Sequence, residues 1–182
     1  FDLVSSFISL IIFSPILLIV LIAIKVSSKG PVFYWSKRIG KNNTQFLMPK
    51  FRTMRIDTPQ LATHLLDDPD QWLIPIGSFL RKTSLDELPQ LWSIFKGDMS
   101  VVGPRPALFN QDDLIELRTE RGVHKISPGL TGWAQINGRD ELPIPVKVDF
   151  DEHYVTNKSM MLDMKIIWKT VFNSILSRGV SH

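Results

Sequence analysis

The run Leu3-Val4-Ser5-Ser6-Phe7-Ile8-Ser9-Leu10-Ile11-Ile12-Phe13-Ser14-Pro15-Ile16-Leu17-Leu18-Ile19-Val20-Leu21-Ile22-Ala23-Ile24 contains no charged residue. As one straight helix it would reach about 33 Å, enough to cross a hydrocarbon core of roughly 30 Å. It is too long for the apolar stretch of a secretory signal, and no small-residue cleavage pattern comes after it. Ser14-Pro15 stands at its midpoint. Pro15 removes a backbone donor and leaves the Ile11 carbonyl without its helical partner, while the Ser14 hydroxyl is in range to bond back to that carbonyl. The two arms, 3–13 and 16–24, are each about half a hydrocarbon core in length. A kinked spanning helix and a re-entrant helix that enters one leaflet and returns therefore compete, and hydropathy alone slightly favours spanning.

Beyond this run the charges are all of one sign for thirty residues. Residues 25–55 hold Lys25, Lys29, Lys37, Arg38, Lys41, Lys50, Arg52 and Arg55 and no acidic residue, while the rest of the chain has 13 basic against 18 acidic residues. The net charge of +3 and the pI near 9.2 are thus a local property, suited to an anionic partner. Beside an apolar segment such a block favours the cytoplasmic side of a membrane and anionic head groups. Nucleic acid fits less well, because the block lacks interleaved recognition elements and abuts an apolar anchor. A chain of 182 residues is enough for one compact core. It has no cysteine, hence neither disulfides nor thiolate chemistry, in keeping with a reducing compartment.

Within the basic block, Pro31-Val32-Phe33-Tyr34-Trp35 and Gln45-Phe46-Leu47-Met48 predict two strands joined by a turn at Gly40-Lys41-Asn42-Asn43. Phe51-Arg52-Thr53-Met54-Arg55 ends this hairpin with cations suited to a phosphate. Asp57-Thr58-Pro59 predicts a helix start and Asp67-Asp68-Pro69-Asp70 a stop. No metal-loop spacing accompanies these aspartates, so the segment reads as a solvated linker. Leu88, Leu91, Trp92 and Phe95 keep helical spacing. Residues 111–125 predict a polar helix without chemistry, and Met161 to Leu176 an amphipathic helix suited to a core or to a membrane surface.

Three stretches carry chemistry. In Arg81-Lys82-Thr83-Ser84-Leu85-Asp86-Glu87-Leu88-Pro89-Gln90-Leu91, two adjacent carboxylates stand at an expected helix start behind two cations. Ser84 and Glu87 have capping-box spacing. Alternatively the helix begins at Asp86, which places Pro89 in the first turn. Either start puts Asp86 at the positive end of a helix, which favours its ionised form. An ionised carboxylate beside phosphate-binding cations suits nucleophilic phosphoryl transfer, although most such acidic pairs only cap. Val101-Val102-Gly103-Pro104-Arg105-Pro106 presents Arg105 between two prolines, a stiff support for a guanidinium that grips phosphate. Pro128-Gly129-Leu130-Thr131-Gly132-Trp133-Ala134-Gln135-Ile136-Asn137-Gly138-Arg139 lacks P-loop order. Its three glycines permit close backbone approach to a ligand, its Asn137-Gly138 turn projects Arg139 as a substrate-binding candidate, and Trp133 suits base stacking or, more commonly, packing.

Lys82-Thr83-Ser84-Leu85-Asp86-Glu87-Leu88-Pro89-Gln90-Leu91, Lys96-Gly97-Asp98-Met99-Ser100, Val102-Gly103-Pro104-Arg105-Pro106 and Pro128-Gly129-Leu130-Thr131-Gly132-Trp133-Ala134-Gln135 closely resemble the bacterial sugar transferases. These are small monotopic phosphoglycosyl transferases that act on polyprenyl phosphate. The resemblance covers nearly the whole chain, from Phe1-Asp2-Leu3 to Gly179-Val180-Ser181. It implies an α+β fold with a re-entrant membrane helix over 1–26, broken at Ser14-Pro15. A small β-hairpin and a mostly helical catalytic domain with amphipathic interfacial helices would occupy 27–182. It further implies a monotopic enzyme on the cytoplasmic face of the bacterial inner membrane that requires Mg²⁺. That enzyme would move a phosphosugar from a nucleoside diphosphate sugar, expected to be a uridine one, to polyprenyl (undecaprenyl) phosphate. This is the first membrane step of bacterial glycoconjugate synthesis. By resemblance Asp86 is the nucleophile and a Mg²⁺ ligand, Glu87 its dyad partner, Arg81 and Arg105 hold phosphate, and Arg52 falls where the family places a basic residue. A non-catalytic lipid-binding module, the competing class, would leave the paired carboxylates and the Pro-Arg-Pro support without a purpose.

Overall fold

The computed structural model describes residues 1–58, 68–138 and 142–175. Arg139 lies outside them, as does most of the segment between the predicted helix start at Asp57 and its stop. Helix α1 (Asp2–Ser27) continues through Pro15 and is long and apolar enough to cross a membrane. The Ser14 hydroxyl donates to the Ile11 carbonyl at 2.7 Å, so the acceptor orphaned by Pro15 is satisfied from the preceding side chain.

The two arms of α1 pack on the rest of the molecule, and its middle is exposed. In the first arm Ser6 is buried, Leu10 packs beside Met48, Leu91 and Ile94, and the Phe7 ring lies 6.0 Å from Phe95. In the second arm Val20 and Ile24 are buried with Phe51, Ile74 and Leu80. Each such side chain contributes roughly 1.5–3 kcal/mol by leaving water. Residues 11–16, around Ser14-Pro15, are all exposed.

Strands β1 (Phe33–Ile39) and β2 (Gln45–Phe51) pair antiparallel, with Phe33 opposite Phe51 and Ile39 opposite Gln45. They run longer than their apolar stretches because Lys37 and Arg38 join the ladder. The turn places Asn42 and Asn43 at positive φ, which asparagine tolerates better than most residues. Helix α2 (Gly77–Lys82) leads to a 3-10 turn, Leu85–Gln90, and then to α3 (Leu91–Lys96). The apolar spacing expected across Leu88–Phe95 divides in space. Leu91 and Ile94 enter the core, whereas Trp92 stays exposed with its ring 5.6 Å from Phe95.

A second sheet pairs β3 (Ser100–Val102) in parallel with β4 (Gly129–Thr131). Two of the three glycines expected to admit a ligand, Gly129 and Gly132, serve this contact instead. A Cβ on Gly129 would strike the Gly103 nitrogen, and one on Gly132 the Gly103 carbonyl. What approaches them is backbone. Around this sheet lie α4 (Asp112–Glu120), α5 (Trp133–Asn137), α6 (Ile144–Asn157) and α7 (Met160–Ile175). Tyr154 of α6 is fully buried, and its hydroxyl donates to the Val102 carbonyl or to Asp163 of α7. Ile166 of α7 faces the same cluster, while Met160, Met161, Met164, Trp168, Val171 and Phe172 form an exposed apolar stripe. Among the described residues the fold is thus α+β: mostly helical, with two small sheets. Between α1 and the hairpin lies an apolar cavity of about 420 Å³, walled by Leu10, Leu17, Leu21, Trp35, Pro89 and Trp92 among others.

Candidate active site

The chain after Ser84 does not form the capped α-helix that its spacing suggests. Ser84 has φ 56° and its side chain caps nothing, so the expected box with Glu87 is not made. Pro89 has no N–H for an α-helical ladder, and the Glu87 carboxylate is engaged elsewhere. Its Oε1 accepts from Lys50 Nζ at 2.7 Å and from Arg105 Nη2 at 2.9 Å. Lys50 comes from β2 and Arg105 from the segment after β3, so Glu87 stands where the hairpin and the Pro-Arg-Pro segment meet. Burial pushes the Glu87 carboxyl up, but Arg105 and Lys50 outweigh it and hold the group well below the usual carboxylate range.

Asp86 has the opposite environment. It is 9% exposed, and burial together with the neighbouring Glu87 charge pushes its carboxyl up to about 6, against the pull of Lys50 and Arg81. The shift is opposite in direction to the one expected at a helix start. A 3-10 turn of six residues has too small a dipole to offset the loss of water around a carboxylate. Two adjacent carboxyls are therefore driven apart, one firmly ionised and one poised near neutrality, a division that marks carboxylates with separate tasks.

Of the expected cations, the structure brings Arg81 and Arg105 to this turn. Arg81 Nε donates to Thr53 Oγ1 at 3.1 Å, and Asp86 is the largest charge favouring its cationic form against burial. Arg52 is buried and directed to the end of α1. It donates to the Pro31 carbonyl at 2.6 Å, to Ser28 Oγ at 3.1 Å and to the Ser28 carbonyl at 3.3 Å. Those bonds anchor the helix exit. Trp133 is a packing element, stacked on His153 with Lys165 and Lys169 over its ring.

Two residues of the site carry no distinguishing signal in the sequence. Lys50 lies in the basic block, where nothing singles it out among eight cations; only strand alternation on β2 could have turned it inward. Arg118 sits in the helix expected to be free of chemistry, yet it is buried, pairs with Asp151 at 2.6 Å and donates to the Arg105 carbonyl at 2.8 Å.

Among the described residues, no three His, Asp or Glu side chains gather as a metal cage. Asp86 with Glu87 beside it suits an ion such as Mg²⁺, which binds through one or two carboxylates and takes its other ligands from water and substrate phosphate. The donor set fits that ion and not a tightly caged one.

A family model described as bacterial sugar transferase matches residues 1–177. The exopolysaccharide production protein ExoY of Sinorhizobium fredii (strain NBRC 101917 / NGR234) is 39% identical over 195 residues, covering 98% of this chain and 85% of that protein. The UDP-glucose:undecaprenyl-phosphate glucose-1-phosphate transferase of Escherichia coli (strain K12) is 37% identical over 186 residues, covering 98% of this chain and 40% of that protein. The UDP-N-acetylgalactosamine-undecaprenyl-phosphate N-acetylgalactosaminephosphotransferase of Aeromonas hydrophila is 35% identical over 176 residues, covering 93% of this chain and 41% of that protein.

Proposed function

Because the chain belongs to the bacterial sugar transferase family, we propose that it moves a phosphosugar from a uridine diphosphate sugar to undecaprenyl phosphate through a covalent aspartyl phosphosugar on Asp86. The reaction runs at the cytoplasmic face of the bacterial inner membrane, with α1 re-entrant. Relatives named for UDP-glucose and UDP-N-acetylgalactosamine donors support the substrate class. The observation that carries the mechanism is the opposed pair, a poised Asp86 next to a Glu87 pinned by Lys50 and Arg105.

In the first half-reaction a carboxylate oxygen of Asp86 attacks the sugar-bearing phosphorus, and the bond from that phosphorus to uridine monophosphate breaks. In the second, a phosphate oxygen of undecaprenyl phosphate attacks the same phosphorus and the bond to Asp86 breaks, which restores the carboxylate. Arg105 and Arg81 hold the transferred group and offset its charge, where most catalysis of such transfers lies. Lys50 and Arg105 keep Glu87 ionised. Mg²⁺, held by Asp86, would neutralise phosphate charge. The apolar cavity shares Pro89 and Trp92 with the turn that carries Asp86 and the helix after it. It houses the first isoprene units of the acceptor, which holds its phosphate at the site.

The test is single-turnover chemistry without acceptor. Enzyme with Mg²⁺ and either UDP-glucose or UDP-N-acetylgalactosamine should release about one equivalent of uridine monophosphate per site. A phosphosugar adduct should map to the tryptic peptide 83–96, and Asp86→Asn should abolish both. Release that waits for undecaprenyl phosphate would remove the covalent step.

A further inference from the structure

The segment Pro104-Arg105-Pro106-Ala107 is gripped by its carbonyls. Its two prolines have no N–H to offer. All four consecutive carbonyl oxygens accept a hydrogen bond, each from a different donor group. Gly129 N–H reaches Pro104 at 2.9 Å, and Ile39 N–H reaches Ala107 at 3.0 Å. The two middle donors are arginine side chains: Arg118 Nη1 on the Arg105 carbonyl at 2.8 Å and Arg38 Nη1 on the Pro106 carbonyl at 3.0 Å. Both are oriented from behind. Asp151, 1% exposed, accepts from Arg118 Nε at 2.9 Å and Nη2 at 2.6 Å. Buried Ser36 accepts from Arg38 Nε at 3.0 Å.

We propose that Arg118, set by Asp151, and Arg38, set by Ser36, are positioning residues: they clamp the backbone on either side of the Arg105–Pro106 bond and so aim the Arg105 guanidinium at Glu87 and the transferred phosphoryl group. The phosphoryl half of this proposal rests on the phosphate-holding role proposed for Arg105. A purely structural role for Arg118 would be to tie α4 to α6, but that tie exists without it. Arg121, one turn further along, reaches Glu152 at 2.5 Å and Asp149 at 3.3 Å across the same helix pair at the surface. What Arg118 has and Arg121 lacks is the third donor on Arg105. A rotation of that peptide swings a long side chain, and displacement of an active group by about 1 Å costs on the order of 100-fold in rate.

The variants are Arg38→Met, Arg118→Lys and the pair Arg118→Met with Asp151→Met. The last replaces a buried ion pair by apolar side chains, a change that folded proteins often tolerate. Arg121→Ala is the control. With undecaprenyl phosphate and whichever of UDP-glucose or UDP-N-acetylgalactosamine the wild type turns over, each variant should lose kcat on the order of 10- to 100-fold. Combination with Arg105→Lys should add nothing, since the fork to be aimed is already gone. Arg121→Ala should be unchanged. Losses that multiply in the double variants, or wild-type kcat in Arg38→Met, would overturn the clamp. The second readout needs no turnover: the Arg105 Nε–Hε NMR resonance, assigned by its disappearance in Arg105→Lys, should shift and broaden in Arg38→Met and Arg118→Lys. An unmoved resonance defeats the clamp whatever the activity. A moved resonance in a protein that releases no nucleotide supports the clamp and defeats the phosphoryl-transfer reading instead.

Discussion

The attack on phosphorus proposed for Asp86 needs an ionised carboxylate, yet Asp86 sits where ionisation is disfavoured. Its carboxyl is pushed up to about 6, first by burial and then by Glu87, whereas an unfolded aspartate titrates near about 3.9. The folded chain therefore binds this proton more tightly than the unfolded chain does. The stabilisation is complete below about pH 3.9 and is lost as pH rises through about 6. At pH 7.5 the ionised group costs the fold about 3 kcal/mol. Asp86→Asn mimics the neutral carboxyl. In chelator at pH 7.5 it should raise the unfolding midpoint on the order of 5–10 °C, and that gain should shrink towards zero by pH 4. An equal gain at both pH values would show that relief of charge burial is not the cause. A residue kept at the expense of stability fits the nucleophilic role proposed for Asp86. Neither the burial nor the rise in pKa is legible in Asp86-Glu87 as written, because both depend on cations that arrive from residues 50 and 105.

Local signals serve well where one element decides the outcome and poorly where two must meet. The Ser14 bond to the Ile11 carbonyl needs only a proline one residue on, and the hairpin needs only its own alternation; both are readable in the sequence. Strands β3 and β4, three residues each, are not, because their evidence is the backbone contact between Gly103 and Gly129 from distant parts of the chain. Arg118 is hidden for the same reason: its partners lie on α6 and in the Pro-Arg-Pro segment. Helix α7 is an intermediate case. Its amphipathic pattern is plain, and the structure assigns the faces, with Ile166 inward and Met164, Trp168 and Phe172 outward. The Trp168 and Phe172 rings stack 5.3 Å apart on that outer face, with Lys165 and Lys169 drawn towards Trp133 on its flank. This is the build of a helix lying in a membrane interface. The chain has no cysteine of its own, so single nitroxide labels can be placed at will. In vesicles, labels at Met164, Trp168 and Phe172 should meet dissolved oxygen more than a water-soluble nickel chelate, and a label at Lys158 the reverse. Preferential access of the chelate to positions 164 and 168 would mean that the stripe does not face lipid.

At the scale of the whole molecule the open question is which way α1 passes. Hydropathy slightly favours spanning because it counts only composition, and residues 3–24 are mostly apolar and carry no charge. The contacts of α1 argue otherwise. Phe7 and Leu10 at one end and Val20 and Ile24 at the other all rest on the same body, while residues 11–16 are exposed. A helix that crosses a bilayer carries its far end about 30 Å from the near surface and cannot lay both ends on one water-facing domain. A helix that dips and returns can, with Ser14-Pro15 at its deepest point. The exposed apolar side chains of 11–16 then meet acyl chains, and the basic residues from Lys25 onward remain at head-group level. Cysteines placed singly at Phe1 and Lys29 should therefore be labelled from the same side of sealed vesicles by a reagent that does not cross lipid. Replacing Ser14 by Ala and Pro15 by Leu removes the break, restores the backbone N–H and makes the run a continuous apolar helix. That variant should move the Phe1 site, and not the Lys29 site, to the far side in a measurable fraction of molecules. It should also lose transferase activity in step, since Phe7 and Leu10 would leave the body that carries Asp86. Opposite-side labelling of the unaltered chain would show a spanning helix. The acceptor would then have to reach Asp86 from beside α1, and the cavity under its middle could not be the acceptor's seat.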